Sequence, residues 1–190
     1  MDRQQIEGKA LALFRERGYA NVTVQDICDA CGISKPTFYS RFRSKDDIIV
    51  DFYDGVSARL SERLGELVGT TSAWEQLRIC YDTIADETES AGEELMRRML
   101  ITNLHEDHHS LDERPYLKRT MASIIARGQA TGEFANASDP ERLCEACDRM
   151  FTGYFCYWCI SHGTLGWRDA FGSSLAAVLD VQAPGEKDAG

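Results

Sequence analysis

The sequence predicts an all-α protein of about nine helices, with a small N-terminal three-helix domain and a larger C-terminal helical domain. Three observations predict this class. Apolar residues recur at three- and four-residue spacing along most of the chain, no segment alternates with a period of two, and only four prolines occur in 190 residues. We therefore expect no β-strands.

The N-terminal domain begins with a helix over about residues 3–17, which Gly18 ends. The segment Thr23-Val24-Gln25-Asp26 resembles a capping box, with Asp at the position usually held by Glu, so a second helix begins there. This helix runs to about Cys31 and ends at Gly32. A glycine after the last periodic residue is a common helix stop, because glycine adopts the left-handed conformation without strain.

A third, short helix is predicted over Lys35–Phe42, capped by Ser34. Pro36 lies in its first turn, where a backbone N–H is not needed. Phe38 and Phe42 are four residues apart, so both side chains face the core. Two short helices joined by a turn that contains a glycine form a helix-turn-helix pattern.

The exposed side of this third helix is small and polar at its centre, at Pro36 and Ser40, and has long side chains at its edges, including Lys35 and Arg41. Such a surface suits insertion into the DNA major groove, because small residues permit close approach and long donors reach bases or phosphates. Taken alone, the pattern fits an ordinary solvent-exposed helix face equally well.

Six further helices are predicted after the helix-turn-helix pattern, each marked by a cap, a glycine stop or a proline start. They begin at Ser44-Lys45-Asp46-Asp47, at the capping box Ser72-x-x-Glu75, and near residues 93, 116, 140 and 167. We predict that the chain divides into a helix-turn-helix domain, residues 1–47, and a C-terminal domain, residues 48–190.

Charge is unevenly distributed along the chain, which has 21 Lys and Arg against 31 Asp and Glu, a net charge of −10. Residues 1–47 contain eight basic and seven acidic residues, whereas residues 48–190 contain 13 and 24. Repulsion of a polyanion is thus confined to the C-terminal domain. The acidic composition does not exclude nucleic-acid binding by the N-terminal domain.

The segment from Thr23 to Asp47 carries a specific motif, T-V-x-x-I-C-x-x-C-G-I-S-K-P-T-F-Y-x-x-F-x-S-K-D-D. It closely resembles the DNA-binding signature of the tetracycline-repressor (TetR) family, in which alanine is usual at the positions of Cys28 and Cys31. Residues 128–134, G-Q-A-x-G-E-F, resemble the end of the seventh helix of that family. The resemblance implies a sequence-specific DNA-binding transcriptional regulator, with repression as the favoured mode of action.

The resemblance also implies which side chains contact double-stranded DNA. The third helix would contact bases and phosphates, the start of the second helix would contact the backbone or a base edge, and Lys45 would hold a phosphate. The implied DNA-binding residues are Thr23, Gln25, Lys35, Pro36, Thr37, Tyr39, Ser40, Arg41 and Lys45.

The eighth predicted helix carries apolar residues on more than one face, which predicts two packing partners, its own domain and a second subunit, and the ninth adds a companion apolar stripe. In the family these helices form a four-helix dimer interface, so the resemblance implies a homodimer on a palindromic operator, and Gly153 would permit close helix approach. The alternative is that both apolar stripes fill only the core of one chain. The predicted interface residues are Phe151, Phe155, Trp158, Phe171, Leu175 and Val178.

A small-molecule effector is a further implied partner, held by the C-terminal domain, where it would change the spacing of the two DNA-binding domains. Each inward-facing position is individually better explained as core than as a ligand contact. The candidate pocket residues are Phe52, Val56, Trp74, Tyr81, Met96, Met99, Leu100, Tyr116, Met121, Ile124, Ile125 and Tyr154.

Seven cysteines leave a second regulatory mechanism open, that of a thiol- or metal-sensing regulator. Cys144-x-x-Cys147 and Cys156-x-x-Cys159 have zinc-ligand spacing, but one helix places the two pairs about 18 Å apart, too far for a single tetrahedral site. Cys28 and Cys31 lie on the inward face of the second helix, so we predict that they are core residues.

His105, His108 and His109 also have ligand-capable side chains, but a solvated turn is the simpler interpretation of that polar stretch. We expect neither a metal nor another cofactor. An enzyme is not expected either, since the sequence has no Gly-rich phosphate loop, H-E-x-x-H motif or nucleophile elbow. No apolar run is long enough to span a bilayer and no signal peptide is visible, so the sequence predicts a cytoplasmic protein without a membrane partner.

Overall fold

The structure is a computed structural model that describes residues 1–49, 51, 52, 60, 71–105 and 115–182. Its helices are α1 (Arg3–Arg17), α2 (Val24–Cys31), α3 (Lys35–Tyr39), α4 (helical residues 46–49, 51 and 52), α5 (Ala73–Ala91), α6 (Glu93–His105), α7 (Pro115–Thr131), α8 (Pro140–Ile160) and α9 (Arg168–Leu179), with a 3₁₀ turn at Tyr19–Asn21. Over these residues the β-structure is limited to one isolated antiparallel bridge, between Phe134 and Val181. The predicted all-α class is confirmed.

The predicted capping box at the start of α2 is present. The Thr23 side chain accepts a hydrogen bond from the Asp26 N–H at 3.1 Å, and the Asp26 carboxylate accepts one from the Thr23 N–H at 2.7 Å. Asp2 and Gln5 form an equivalent box at the start of α1. These side chains satisfy backbone donors that have no partner within a helix.

α3 is shorter than predicted, because it ends at Tyr39 rather than at Phe42. The hydroxyl of Ser40 donates to the Thr37 carbonyl at 2.7 Å, a local hydrogen bond that competes with continued helix. The Phe42 N–H still donates to the Phe38 carbonyl at 3.0 Å. Phe42 therefore keeps its predicted inward position and is 1% exposed.

The chain forms two compact units. The first unit consists of Met1–Val56 and Glu87–Asp112, and the second of Ser57–Asp86 and Glu113–Gly190. Contacts therefore assign α6 to the same unit as the helix-turn-helix, although the sequence places it in the C-terminal domain. The predicted boundary after residue 47 stays a prediction.

The first unit has its own apolar core. Ile6 of α1, Ile27 of α2 and Phe38 of α3 are each 0% exposed, and Phe42 and Ile48 are as deeply buried. Burying a side chain of this size stabilises the folded state by about 1.5–3 kcal/mol. These contacts hold three short helices, of which none would be stable alone.

The core of the second unit contains a cluster of aromatic rings from α5, α8 and α9. Tyr81 lies 5.4 Å from Phe151 and 5.0 Å from Phe171, measured between ring centroids. Phe151 also packs edge-on against Trp167 at 5.2 Å. Pairs at these separations contribute beyond their buried area, so the cluster joins three helices firmly.

A close backbone approach fixes the end of α7. A Cβ atom built at Gly128 would lie 2.2 Å from the ring of Phe134, which is 2% exposed. The Phe134 N–H donates to the Gly128 carbonyl at 3.1 Å, so the chain returns directly over this glycine. Only glycine leaves room for the ring.

We expect Gly128→Ala to lower the free energy of unfolding by about 1–3 kcal/mol, because the added methyl group overpacks the Phe134 ring. Gly8→Ala is the control, since Gly8 lies in α1 and no atom lies within 4 Å of the position that a Cβ atom would take there. That change should raise the free energy of unfolding by about 0.5–1 kcal/mol. Urea denaturation measures both, and equal stabilities for the two variants would contradict the close approach.

Candidate functional site

The turn between α2 and α3 depends on a backbone conformation that favours glycine. Gly32 has a φ angle of +64°, in the left-handed region, and the Ile33 N–H donates to the Cys28 carbonyl at 3.0 Å. Ser34 then caps α3 by accepting from the Thr37 N–H at 3.4 Å. The predicted helix-turn-helix is confirmed.

The exposed face of α3 presents the predicted DNA-binding side chains to solvent. Lys35, Pro36, Tyr39 and Ser40 are exposed, and Tyr39 keeps 53% of its surface. Within the described ranges, the Lys35 ammonium and the Tyr39 hydroxyl form no hydrogen bond or ion pair. Both groups are therefore available to a ligand.

Four other predicted DNA-binding residues have side chains that also bond within the chain. Gln25 donates to the Asp29 carboxylate at 2.7 Å, and Arg41 donates to the Thr37 carbonyl at 3.3 Å. The hydroxyls of Thr23 and Thr37 take part in the caps of α2 and α3. Their contacts with DNA stay predictions.

Lys45 has a structural role that the sequence did not indicate. Its ammonium donates to the Tyr19 carbonyl at 2.9 Å and to the Val22 carbonyl at 2.8 Å, and it lies 4.1 Å from the centroid of the Tyr19 ring. Burial lowers the pKa of Lys45. A phosphate contact by Lys45 stays a prediction, and only the third N–H of its ammonium remains for it.

The carboxylate of Asp46 connects three elements of the first unit. It accepts a hydrogen bond from the Tyr19 hydroxyl at 2.5 Å, from Arg98 Nε at 3.4 Å and from the Thr102 hydroxyl at 3.3 Å. Burial, followed by the hydrogen bond to Asp46, raises the pKa of Tyr19. α6, which carries Arg98 and Thr102, is thus bonded directly to the start of α4.

A second contact between α6 and the helix-turn-helix region involves Glu94. Its carboxylate accepts from the Ala20 N–H at 3.3 Å, and a Cβ atom at Gly18 would lie 2.9 Å from Glu94 Oε2. Gly18 also has a φ angle of +78°. Glycine at this position permits the left-handed backbone conformation and leaves room for the Glu94 carboxylate.

The candidate pocket residues are divided between the two units. Phe52, Met96 and Met99 are buried in the first unit, and Leu100 is half-buried there. Val56 lies outside the described residues. In the second unit, Tyr81, Met121, Ile124 and Ile125 are buried, Trp74 and Tyr154 are half-buried, and Tyr116 is exposed.

Two clefts of the second unit include some of these candidates. One, of about 690 Å³, is lined in part by Trp74 and Tyr81 of α5 and by Phe171 and Leu175 of α9. The other, of about 520 Å³, lies between α5 and α7 and includes Tyr116 and Ile124. Both volumes are in the range of small-molecule sites.

The predicted dimer-interface residues are largely covered within the single chain, and their contact with a second copy stays a prediction. Phe155, Trp158, Phe171 and Leu175 are all at least 94% buried within the single chain. Phe151 and Val178 are half-buried, and Phe151 packs in the aromatic cluster. These side chains are already covered by their own unit, because the 3.6-residue period identifies an inward face and not the partner that covers it.

Six of the seven cysteines are buried, and Cys156 on α8 is half-buried. Cys28, Cys31, Cys80, Cys144, Cys147 and Cys159 are buried, which confirms the core prediction for the first two. Burial raises the pKa of Cys80 and of Cys147 to about 12, so both thiols are protonated at neutral pH. Among the described residues, no group of three or more ligand-type side chains is arranged to hold a metal; His105 is exposed, and His108 and His109 lie outside them.

Comparisons with known proteins agree with this geometry. The model of bacterial regulatory proteins of the tetR family matches residues 8–51. The transcriptional regulator AcuR of Cereibacter sphaeroides is 32% identical over 94% of this chain and 77% of its own length. The chain belongs to the TetR family. It is therefore a transcriptional regulator of that family.

The TetR fold extends over the whole chain. FadR of Thermus thermophilus, a TetR-family transcriptional repressor solved with lauroyl-CoA, has a TM-score of 0.76 at 21% identity and covers 100% of this chain and 99% of its own. The repressor KstR2 of Mycobacterium tuberculosis is 35% identical over only 33% of this chain and 32% of its own. No described helix is long and apolar enough to cross a membrane.

We expect Tyr19→Phe to lower the free energy of unfolding by about 1–2 kcal/mol, because it removes a buried hydroxyl that donates to a carboxylate. Tyr39→Phe is the matched control, since its hydroxyl is exposed and unbonded, and it should change stability by less than about 0.5 kcal/mol. Chemical denaturation measures both. A Tyr19→Phe protein as stable as the control would show that the hydrogen bond from Tyr19 to Asp46 does not contribute to stability.

Proposed function

We propose that this TetR-family regulator is a homodimeric repressor that binds a palindromic operator through two copies of α3 and is released by a small-molecule effector. The observation that carries the proposal is the exposed face of α3, where the Lys35 ammonium and the Tyr39 hydroxyl are unbonded within the described residues. In the major groove, donors at the edge of a short helix reach base edges and phosphates.

Direct readout is assigned to Lys35 and Thr37, at the start and centre of α3, and to Ser40, the residue that follows its last turn. Tyr39 and Lys45 act mainly on phosphates. Lysine donates to the guanine O6 and N7 acceptors, whereas phosphate contacts fix the position of the helix without reading sequence. Loss of one kind of contact therefore changes specificity, and loss of the other changes overall affinity.

The effector acts through α6 in this proposal. Arg98 and Thr102 of α6 bond to Asp46, which also holds Tyr19 next to the helix-turn-helix. A ligand that displaces α6 breaks these bonds and changes the position of α4. The lauroyl-CoA bound to the structurally similar Thermus thermophilus repressor supports control by a small molecule without specifying its identity here.

The proposed dimer interface uses the exposed part of α8 rather than its buried part. Tyr157 is 67% exposed and Ile160 is 71% exposed, and Leu165, shortly after the helix, is 43% exposed. Neighbouring apolar side chains that remain in contact with water are typical of protein interfaces. A second copy of the chain would cover them and place two α3 helices on one operator.

Lys35→Ala should relax sequence preference at one symmetric pair of operator positions, at a cost of about 1–3 kcal/mol for each lost base contact. The measurement is selection of bound DNA from the genome that encodes the protein, followed by affinity titration of the selected site. Arg15→Ala is the control, since Arg15 is exposed on α1 and is not among the proposed DNA-binding residues. Wild-type protein that binds random DNA as tightly as the selected site would refute the assignment of α3.

Ile160→Glu should convert the protein to monomers and weaken operator binding strongly, because one helix-turn-helix makes too few phosphate contacts. Leu104→Glu, at an 87% exposed position of α6, is the control and should leave the sedimentation behaviour unchanged. Analytical ultracentrifugation at micromolar concentration measures both. A monomeric wild-type protein would overturn the dimer.

A further inference from the structure

The cleft between α5 and α7 has an unusual composition for this acidic chain. Its volume is about 520 Å³, and its lining combines polar and cationic side chains with a mostly apolar surface, to which Tyr116 and Ile124 contribute. The lining residues are Gln76, Tyr116, Arg119, Thr120, Ser123, Ile124 and Arg127. Two of them are arginines, and the described lining contains neither Asp nor Glu, although the chain has 31 such residues.

Neither guanidinium of the cleft is neutralised by a carboxylate among the described residues. Arg119 Nε donates to the Pro115 carbonyl at 3.2 Å, and Arg127 donates to the side-chain oxygen of Gln76. Both acceptors are uncharged. Each arginine therefore keeps its positive charge and several unused N–H groups for a ligand.

The two arginines lie on the same face of α7. Arg119, Ser123 and Arg127 are spaced by four residues, so they share one face, and their Cα atoms span about 12 Å. Ser123 lies between the two arginines on this face, whereas the Thr120 hydroxyl donates to the Tyr116 carbonyl at 3.0 Å. The face thus offers two cationic ends with the Ser123 hydroxyl between them.

Gln76 is a positioning residue for Arg127. It is 3% exposed, and its amide Nε2 donates to the Thr71 carbonyl at 3.0 Å while its oxygen accepts from Arg127. A buried amide with both ends bonded has a fixed orientation. The Arg127 side chain is therefore directed into the cleft before any ligand arrives, which lowers the entropic cost of binding.

We propose that this cleft binds an organic anion, whose carboxylate or phosphate group is held by Arg127 and Arg119 and whose apolar part lies against Tyr116 and Ile124. Guanidinium groups suit both acids, because they form charge-assisted, often bidentate hydrogen bonds with either. Tyr116 is 60% exposed and supplies the apolar contact area at the mouth of the cleft. The role of this anion as the effector rests on the proposed function, whereas its binding does not.

Three probes with the same alkyl chain test the cleft: octanoate, octyl phosphate and 1-octanol. At least one of the two anions should bind the wild-type protein with a dissociation constant about tenfold or more below that of the alcohol. Comparison of the two anions distinguishes carboxylate from phosphate recognition. Sodium chloride should weaken anion binding and leave 1-octanol unaffected, since only the charged probes are screened.

Variants locate the binding in the cleft. Arg127→Gln should weaken anion binding about tenfold, and Arg119→Gln combined with Arg127→Gln should remove the preference for anions over 1-octanol. Arg15→Gln is the control, because Arg15 is exposed on α1 and does not line the cleft. Calorimetry measures binding, and circular dichroism checks that each variant is folded.

Three results would overturn the proposal: neither anion binds, 1-octanol binds as tightly as both, or the double arginine variant binds the anions like wild type. A saturating anion that leaves operator affinity unchanged has a different meaning. It supports anion binding in the cleft and contradicts the idea that this anion is the effector of the proposed function.

Discussion

The carboxylate of Asp46 is the group on which the arrangement of the first unit depends. It accepts hydrogen bonds from the 3₁₀ turn after α1, through Tyr19, and from α6, through Arg98 and Thr102. A carboxylate with a 23% exposed side chain needs such donors, because a partly buried charge without partners is costly. Hydrogen bonds are directional, so a rotation of α6 would weaken its bonds to Asp46. Contacts between apolar surfaces depend less on orientation and would tolerate the same rotation.

The proposed binding of anions depends on local cations rather than on net charge. The chain carries a net charge of −10, which disfavours the approach of any anion. At physiological ionic strength, however, exposed charges are largely screened beyond about 8 Å. The groups within that distance then dominate, and these include Lys35 on α3 and the two arginines of the α5–α7 cleft. DNA and a small organic anion are compatible with the same acidic chain, because each would meet its own cationic surface.

Features fixed by neighbouring residues were predictable from the sequence, and features fixed by distant residues were not. The caps at Thr23 and Ser34 and the inward positions of Phe38 and Phe42 follow from spacing within one or two turns, and the structure has all of them. The burial of Phe155 within its own chain could not be predicted in this way. Helical periodicity shows that Phe155 is on an apolar face, but that face looks the same whether its own chain or a second copy covers it.

Contacts between residues that are distant in the chain were also unpredictable for two polar side chains, those of Lys45 and Arg127. Lys45 was assigned to a phosphate from its place in the motif, but its ammonium reaches the carbonyls of Tyr19 and Val22, more than twenty residues away. Arg127 was not singled out, since a charged residue on a helix is by default a solvated one. Its spacing of eight residues from Arg119 indicates that the two arginines share a helix face. The sequence does not show that buried Gln76 bonds to Arg127 and orients it, because that contact joins residues that are far apart in the chain.

The strengths of the Asp46 hydrogen bonds determine where the first unit would give way under the proposed effector control. The bond from Tyr19 is short, at 2.5 Å, whereas those from Thr102 and Arg98 are 3.3 and 3.4 Å long, close to the distance at which such bonds cease to contribute. Arg98 adds little, because its side chain is 45% exposed and solvent screens the ion pair. Allosteric coupling between two sites typically amounts to about 1–3 kcal/mol, and one net hydrogen bond contributes about 1 kcal/mol. The two α6 bonds are both weak, so their loss costs about 1 kcal/mol or less, at the lower end of that range, and it leaves Tyr19 bonded to Asp46.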